Sequence, residues 1–570
     1  MVNKKINKFQ KSVTIIAGIL IVLILVNVAA NYFFHNVRLD LTAEKRYTLS
    51  PSTKKILTKL DDYVYVKCYL KGEFPSGFMK LQQSTKEMLD EFSNVAGNKF
   101  RYEFIDVKEG RNEQQQKDFK NQLESKGINP VKLNVQSEDN FKEQIVYPWC
   151  IVTYKEKEIP VFILNNQIGK SPSEQLNNSI ALLEYNLVAA IDKATETRKK
   201  TVAVSSGNGE MPTANMLDFL NTVVKDYEAA PIDINTIVRI PNEKIDALII
   251  PKPSKEFTEQ EKFKIDQFVM NGGKVLWLLD MLDGDIDSLR KRKEYIAPDF
   301  PLNIDDQLFA YGVRVNKAFV QDYSCAPLPM VNGYVNNQPQ FQMYPWLYFP
   351  VIMSTSNHPI SKNLDAILTL FPSCIDTVGA KGITKSVLLQ SSKYSRVVYS
   401  PVSVDIRMMK MQPKPEYFNK PNQIISVLLE GEFSSPYAGR ISPLMSKMLD
   451  SLHINFKPKS SANKMIVVAD GDIVKNPASK GEFQYPCGYY PFTKQTFANK
   501  DFLLNSLKYL TDETGVLDAR AKEIKLRLLD SPKVKEEKTK WQLINILLPL
   551  ILVVFIGITF NYVREKKYSK

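Results

Sequence analysis

The segment Gly169-Lys170-Ser171 follows a predicted strand, Val161 to Leu164, and resembles the end of a phosphate-binding loop. Such a loop turns tightly around the phosphates and needs a glycine five residues before the Gly-Lys-Ser triplet. The sequence has Leu164 at that position. The triplet is therefore interpreted as a polar loop that caps the next helix, and we expect that the chain does not hydrolyse ATP itself.

Residues that could carry metal or nucleophilic chemistry are sparse. The three histidines, His35, His358 and His453, are far apart, and none has a short spacing to another His, Cys or carboxylate cluster. The five cysteines form no CxxC motif and are interpreted as small buried residues, with one isolated disulfide left open. These spacings provide neither a metal site nor a Ser-His or Cys-His nucleophile, so we expect a non-enzymatic protein without a cofactor.

Polar residues that follow predicted strands are the candidates for ligand binding. Ligands of doubly wound sheets bind at the carboxyl ends of the strands. The candidates are Ser205, Gly207, Asn208, Glu210, Asp280, Asp470 and Asp472. Carboxylates that converge at one sheet edge could hold a cation or a polar ligand, but helix capping explains them as well. The glycines of the turn at 205–210 could equally serve only to make the turn.

The strands and helices that would position these residues begin near residue 62. From Asp62 to about Asn165 the patterning predicts a β-α-β-α-β-β order. That order is typical of a small thioredoxin-like sandwich, here without the redox cysteines. A helix after Pro172 closes this unit, because its apolar residues recur at helical spacing.

Apolar strands alternate with helices beyond residue 200. The strand-like runs are 201–205, 245–250, 274–280 and 465–470. Between the second and third runs, Thr258 and Glu261 form a capping box, and Gly272 provides the stop signal of a helix. The pattern predicts an α/β fold with a doubly wound parallel sheet covered on both faces. The run at 465–470 is expected to complete this sheet, with residues 300–460 as an insertion.

Two uncharged apolar runs, Ser12 to Phe34 and Trp541 to Val563, are each long enough to cross a bilayer. The small residues Val28-Ala29-Ala30 leave a cleaved signal peptide open. The first run nevertheless continues into aromatic residues typical of a membrane interface, which favours an uncleaved anchor. Four lysines and no acid precede it, so the positive-inside rule predicts both termini in the cytoplasm and the central part outside.

Length and composition allow several cores, since 44% of the 570 residues are hydrophobic. The predicted segments are a tail at 1–11, a first transmembrane helix at 12–34, a thioredoxin-like domain at 35–195, a doubly wound domain at 196–515, a juxtamembrane helix or linker at 516–540, a second transmembrane helix at 541–563 and a tail at 564–570. The formal net charge is +13, but the two tails carry seven of these charges. The +6 that is left on the central part does not favour nucleic acid as a partner.

The segment Arg38 to Ser50, which reads RLDLTAEKRYTLS, resembles a signature of the GldG type of auxiliary proteins of gliding-motility-associated ABC transporters. Further segments agree with that family in the same order along the chain. They are Tyr311 to Asn316, His358 to Ile360, Leu388 to Ser395, Leu429 to Phe433, Val468 to Asp472 and Glu523 to Asp530. The resemblance covers nearly the whole chain.

This resemblance implies a substrate-binding-like auxiliary subunit that works with an ABC ATPase and an ABC permease in support of gliding motility. The implied location is the bacterial inner membrane, with two crossings and a periplasmic central module. A homodimer within the transporter complex is left open. For the middle unit the resemblance implies a glutamine-amidotransferase-like (GIFT-like) sheet without its nucleophilic Cys and His. The family turn Gly-His-Gly-Glu reads Gly207-Asn208-Gly209-Glu210 here.

The basic segment Arg520 to Asp530, just before the second apolar run, is the candidate coupling element. Arg520, Lys525 and Arg527 are its candidate contacts to the permease or the membrane, and a basic helix held on anionic headgroups is the alternative. Within the run, Trp541 and Pro549 are further candidates, because a proline kink can be satisfied by a neighbouring helix.

A second function stays open at this stage, namely a solute- or glycan-binding module anchored to the inner membrane. It would use the strand-end cleft. Trp346, Tyr348 and Phe349 could stack on a sugar, unless they pack in the core.

Overall fold

In the computed structural model the chain forms two compact units, residues 1–522 and 523–570. The structure describes residues 17–18, 20–28, 48–72, 74–110, 112–136, 141–165, 171–196, 198–354, 356–411, 414–443, 447, 449, 451, 456–477, 485–521 and 531–568. The first unit contains two α/β modules, which we call the first module (48–196) and the second module (198–521).

The first module is a mixed four-stranded sheet with helices. Its elements are α1 (Pro51–Thr58), β1 (Val64–Cys68), α2 (Ser76–Ala96), β2 (Phe100–Phe104), α3 (Glu113–Ser125), β3 (Val131–Gln136), β4 (Phe141–Val146), β5 (Trp149–Tyr154), β6 (Lys157–Phe162) and α4 (Pro172–Thr195). The sheet order is β2-β1-β5-β6, with β1 parallel to β2 and β5 antiparallel to both of its neighbours. Strands β3 and β4 pair with each other as a separate hairpin. The α/β class is confirmed, and the likeness to thioredoxin stays a prediction.

Helix α4 begins at a capping box, which explains the Gly-Lys-Ser triplet. The Ser171 hydroxyl accepts a hydrogen bond from the backbone N–H of Glu174 at 3.3 Å, and the Glu174 carboxylate accepts one from the N–H of Ser171 at 2.9 Å. Pro172 occupies the first helical turn, where its missing N–H costs nothing. Ser171 is therefore a helix cap, as interpreted, while Gly169 and Lys170 lie outside the described residues.

The second module contains most of the strands. Its elements are β7 (Thr201–Ser206), α5 (Leu217–Asp226), β8 (Glu228–Asp233), β9 (Ala247–Pro251), α6 (Glu259–Met270), β10 (Lys274–Leu278), α7 (Ile286–Arg292), β11 (Glu294–Ala297), α8 (Asp305–Tyr311), β12 (Val313–Val315), β13 (Ala318–Asp322), β14 (Cys325–Val335), β15 (Gln338–Ile352), β16 (Ile367–Leu368), β17 (Ile375–Thr377), β18 (Ile383–Gln390), β19 (Ser395–Tyr399), β20 (Val402–Asp405), β21 (Ile424–Ser434), β22 (Lys459–Val468), β23 (Tyr489–Tyr490), β24 (Gln495–Thr496) and α9 (Asn499–Thr511). Short 3-10 helices at Gly471–Val474 and Val516–Ala521 follow β22 and α9.

A seven-stranded sheet organises this module in the order β18-β21-β22-β10-β9-β7-β8. The five strands from β22 to β8 run parallel, so the predicted parallel sheet is present. Strands β21 and β18 extend it with antiparallel pairing. The stretch 300–460 therefore differs from a simple insertion, because it contributes two strands to the central sheet.

The central strands are buried on both faces. Within β10, Val275 and Trp277 belong to the core on one side of the sheet, whereas Leu276 and Leu278 belong to the core on the other. Successive side chains of a strand point to opposite faces, so both faces must be covered for all four to be buried. Helix α6 covers one of them, and it has the predicted Thr258–Glu261 capping box.

The second unit is described by one helix, α10 (Ser531–Tyr568), which contains Pro549. Its portion Glu536–Tyr568 is long and apolar enough to cross a membrane, and it is the one such helix among the described residues. Residues 17–18 and 20–28 of the first predicted crossing are helical, and the rest of that run lies outside the described residues. The two-pass topology thus stays a prediction.

Candidate functional site

Three aspartates and one lysine meet at the carboxyl edge of the central sheet. Asp280 follows β10, Asp470 and Asp472 follow β22, and Lys252 follows β9. These three strands are neighbours and parallel, so their ends lie side by side. The ammonium nitrogen of Lys252 lies 2.9 Å from Oδ2 of Asp280 and 2.6 Å from Oδ2 of Asp472.

Backbone amides bind further oxygens of this cluster, whereas Oδ1 of Asp472 has no hydrogen-bond partner among the described residues and lies 3.5 Å from the Lys475 ammonium. Gly471 donates to Oδ1 of Asp280 at 2.6 Å, and Asp472 donates to Oδ1 of Asp470 at 2.9 Å. The other oxygen of Asp470 accepts from the N–H of Leu370 at 2.9 Å. Asp470 thereby caps the 3-10 helix Gly471–Val474. The capping interpretation is confirmed for this residue.

Burial and charge set the protonation of the cluster. Asp280 and Asp470 are 3% and 0% exposed. Burial raises the pKa of Asp280, and burial together with the charges of Asp280 and Asp472 raises the pKa of Asp470 well above its usual range. Burial alone would lower the pKa of Lys252, but the charges of Asp280 and Asp472 outweigh it and raise that pKa. The lysine is therefore held as an ammonium ion.

Lys252 supplies the positive charge that an external cation would otherwise bring. No group of three or more His, Cys, Asp or Glu among the described residues is arranged to hold a metal ion. The Lys252 backbone has φ +48°, in the left-handed region that a lysine rarely adopts, and its N–H donates to the carbonyl of Leu278 at 2.8 Å. Lys252, with Lys475 at 3.5 Å from Asp472, provides the positive charge that opposes the acids at this sheet edge.

The turn after β7 is a second, separate set of predicted residues. The Glu210 carboxylate accepts hydrogen bonds from the Ser205 hydroxyl at 2.9 Å and from the N–H of Asn208 at 2.7 Å. Gly207 and Gly209 have φ +115° and +70°, which favour glycine. A Cβ at Gly207 would lie 2.7 Å from the Asn235 amide nitrogen. The glycines thus make the turn, as the alternative interpretation held.

The loop after β9 lies between the two sets. Its residues Ser254 and Lys255 donate their N–H groups to the carbonyl of Asn208 at 3.0 and 2.9 Å. The side-chain amide of Asn208 donates to the Glu261 carboxylate at 3.0 Å. The seven predicted residues therefore fall into two sets, and the loop after β9 contacts both of them. Most of their polar groups are bound within the protein, except Oδ1 of Asn208 and Oδ1 of Asp472, which have no hydrogen-bond partner among the described residues.

Lys252 is the member of the cluster that sequence reasoning missed. The available signal was Pro251-Lys252-Pro253 directly after an apolar strand, a lone cation at the edge where the acids converge. Asp283, which also follows β10, is half-buried, and burial raises its pKa. It adds a further acid near the cluster.

Arg520, a predicted contact to the permease or the membrane, lies in the interior of the first unit. Arg520 is only 8% exposed and lies in the 3-10 helix Val516–Ala521, which belongs to the first unit. Lys525 and Arg527 lie outside the described residues. Trp541 and Pro549 lie in α10, where the Trp541 indole donates to Glu537 at 2.9 Å.

Two further sequence candidates are accounted for by packing. Trp346, Tyr348 and Phe349 are 1%, 2% and 4% exposed, so they pack in the core and offer no face to a sugar. His358 accepts a hydrogen bond from the N–H of Ile360 at 3.3 Å, and burial lowers the pKa of His358 to about 4. It is therefore neutral at physiological pH.

Comparison with known families places this fold and site in a transport context. A family described as "ABC-type uncharacterized transport system" matches residues 199–506, which span the central sheet and the aspartate–lysine cluster. The chain belongs to this family of ABC transporter auxiliary proteins. A domain of unknown function matches residues 43–153 of the first module.

Individual relatives add little to this assignment. An uncharacterized protein of Borreliella burgdorferi is 22% identical over 436 residues, which cover 74% of this chain and 78% of that protein. The mmIFT52 N-terminal domain gives a TM-score of 0.30 at 14% identity, with 55% of this chain and 97% of that domain covered. A ThuA-like protein from Parabacteroides merdae gives 0.24 at 8% identity, with 59% and 94% covered.

Proposed function

We propose that the chain is the extracytoplasmic auxiliary subunit of an ABC transporter that supports gliding motility, and that it couples partner ATPase and permease motion to its periplasmic modules. Membership of the ABC transporter auxiliary family is the observation that carries the proposal. Helix α10 supports it, because a helix that crosses the membrane would be able to contact the permease directly. Both termini are proposed to be cytoplasmic.

A non-enzymatic role agrees with the chemistry of the described residues. Leu164 stands where a phosphate-binding loop needs glycine, and Ser171 is used to cap α4. Two acids of the strand-end cluster, Asp280 and Asp472, are paired with Lys252. ATP hydrolysis is therefore assigned to a partner subunit. The alternative of a glycan-binding module is less favoured, because Trp346, Tyr348 and Phe349 are buried and present no face to a sugar.

The hairpin β14–β15 is the proposed contact surface for the permease. No Asp, Glu, Lys or Arg occurs between Asp322 and Lys362. Near the tip, Tyr334, Val335 and Phe341 are 70%, 58% and 64% exposed. Cores of protein interfaces are depleted in charge and enriched in aromatic residues. A charge-free hairpin with exposed aromatics has the composition that a partner subunit would cover.

Co-purification tests the proposal. The tagged full-length chain is solubilised from its own membranes in mild detergent, and bound proteins are identified by mass spectrometry. We expect one ABC permease and one ABC ATPase, enriched over an unrelated tagged membrane protein from the same cells. Recovery of the chain without either subunit would contradict the proposed function.

Topology and motility are tested separately. Alkaline phosphatase fused within 321–325 should be active, because the proposal puts this segment in the periplasm. A fluorescent protein fused after Lys570 should fluoresce, because the proposal puts the C-terminus in the cytoplasm. Deletion of the gene should abolish spreading on agar, and the wild-type chain should restore it. Normal gliding of the deletion strain would contradict the proposed role in motility but not the proposed role in an ABC transporter.

A further inference from the structure

A cavity of about 410 Å³ lies between the two modules of the first unit. The first module contributes Leu182, Tyr185 and Asn186 from α4, and the second contributes Leu504, Asn505 and Lys508 from α9. This volume falls within the range of small-molecule sites, which is roughly 300–1,000 Å³. Apolar side chains, carboxamides and charged groups of both signs line it, and such a mixture of apolar surface with a few polar groups is typical of small-molecule sites.

Arg520 lines this cavity and lacks a counter-ion. Its guanidinium carbon lies 5.7 Å from the centre of the Tyr185 ring, and its Nε has no hydrogen-bond partner among the described residues. No described carboxylate lies within salt-bridge distance of it, although the charge of Asp501 acts on it from farther away. Burial lowers the pKa of Arg520. An arginine that is more than nine-tenths buried and incompletely paired is costly, which calls for a bound partner.

The other charges around the cavity define the kind of partner. Lys508 places its ammonium 5.1 Å from the centre of the same Tyr185 ring, so two cations share one aromatic wall. Among the acids, Asp226 forms an ion pair with Lys193, and Asp365 accepts from the N–H of Ala366 at 2.9 Å. A third acid, Asp501, also lines the cavity, and its charge acts on Arg520. The Arg520 side chain hydrogen-bonds to Tyr185, but its Nε has no partner among the described residues. The planar fork of the guanidinium matches carboxylate and phosphate groups.

We propose that this cavity between the modules binds a small polar molecule through a carboxylate or phosphate group held by Arg520. The amides of Asn186 and neighbouring carboxamides meet the hydroxyl or amide groups of that molecule. The site is distinct from the strand-end cluster, and it requires neither a partner subunit nor the proposed transport role.

Binding is tested on the full chain in detergent with three probes, D-glucuronate, inorganic phosphate and neutral D-glucose. Thermal unfolding and titration calorimetry should show saturable binding of glucuronate or phosphate and none of glucose. Glucuronate alone identifies a carboxylate ligand, and phosphate alone identifies a phosphate ligand. Absence of saturable binding of both anions at millimolar concentration would overturn the proposal.

Variants separate recognition from folding. Arg520→Met should weaken anion binding by at least about tenfold, and Asn186→Trp should abolish it by filling the cavity while leaving Arg520 in place. Ligand-free Arg520→Met should unfold at a higher temperature than the wild type, because it removes a buried and incompletely paired charge. The control Arg239→Met, at an exposed ion pair with Glu243, should bind as the wild type does. Unchanged anion affinity in both cavity variants would refute the site.

Discussion

The ammonium nitrogen of Lys252 lies 2.9 Å from the carboxylate of Asp280 at the edge of the central sheet, where the Asp280 side chain is 3% exposed and the Lys252 side chain is 18% exposed. The same nitrogen also contacts Asp472, so one cation joins the ends of β9, β10 and β22. A buried ion pair of this kind contributes little net stability compared with apolar packing, but it is costly to break. Lys252 therefore acts as the internal counter-ion of the sheet edge.

Removal of the lysine charge is the first prediction. Lys252→Met should destabilise the protein by about 3–5 kcal/mol, because it leaves the buried Asp280 without a counter-charge and Asp472 with only the half-exposed Lys475. The loss should be smaller at acid pH, because burial raises the pKa of Asp280 and this carboxylate becomes protonated in the folded state. Urea unfolding at several pH values measures both effects.

The control for this prediction is Lys475→Met. Lys475 is 45% exposed and lies 3.5 Å from Asp472, so its removal should cost no more than about 1 kcal/mol. Equal destabilisation by the two substitutions would show that the cluster does not depend on its buried cation.

Divalent cations give the second prediction. Neither Ca²⁺ nor Mg²⁺ should change the unfolding temperature of the wild type, because the Lys252 ammonium already occupies the space between Asp280 and Asp472. In Lys252→Ala the same ions should stabilise the protein, since the acids then lack a cation. A calorimetric scan with and without each ion checks this. Stabilisation of the wild type would mean that a cation site exists beside the lysine.

The sequence reveals the acids of this cluster better than their partner. Asp280 and Asp470 are predictable because each directly follows an apolar strand, and parallel strands end at one edge. Lys252 is harder to assign, because its role depends on how the loop after β9 folds over that edge. The turn at Gly207 and Gly209 is a local feature, so the sequence allows two interpretations, a ligand-binding turn or glycines that only make the turn. The contacts of the folded chain decide between them.

Long-range packing explains the remaining differences. A basic residue near a membrane helix is ordinarily on the surface, but Arg520 is buried because the 3-10 helix at 516–521 packs on α4, more than three hundred residues earlier in the chain. Similarly, the apolar patterns of β18 and β21 predict that these segments are strands, but they do not predict which edge of the sheet the strands join. Helix α10 needs no such information, since its length and hydropathy are local properties.

Asp192 gives a prediction of pH dependence. Burial, with the charges of Asp512 and Glu196, raises the pKa of Asp192 to about 6. The folded protein therefore binds this proton more tightly than the unfolded chain, and the associated stability is lost as the pH rises towards 6 and beyond. Asp192→Asn should stabilise the protein by about 1–3 kcal/mol at pH 7.5 and have little effect at pH 4.

A control of opposite sign is available at Asp376. Burial acts to raise its pKa, but the hydrogen bond and charge of Arg314 outweigh burial and lower it. Asp376→Asn should therefore cost at most about 1 kcal/mol at neutral pH and nothing at low pH. Parallel pH profiles of the two variants would contradict the assignment at Asp192.

The oxidation state of two cysteines indicates whether the first module lies in an oxidising compartment. Cys68 and Cys150 are directly opposite on the antiparallel strands β1 and β5, and a hydrogen bond between the two thiols, with burial, raises the pKa of Cys150. In an oxidising periplasm we expect these two to form a disulfide. Maleimide labelling of denatured protein, purified without reductant, should then modify three of the five cysteines. Labelling of all five would argue against an oxidising location, and Cys68→Ala should confirm the pairing by freeing Cys150.

The hairpin tip is the last prediction. Phe341→Asp and Tyr334→Asp should each reduce recovery of the permease by at least about tenfold, because a charge would be buried in the proposed apolar interface. Both side chains are more than 60% exposed, so the unfolding temperature of the isolated chain should be unchanged. Tyr417→Asp is the matched control, since Tyr417 is 55% exposed but lies outside the hairpin. Normal permease recovery with both hairpin variants would show that the hairpin is not the contact surface. Reduced recovery with Tyr417→Asp as well would show that an added charge acts non-specifically.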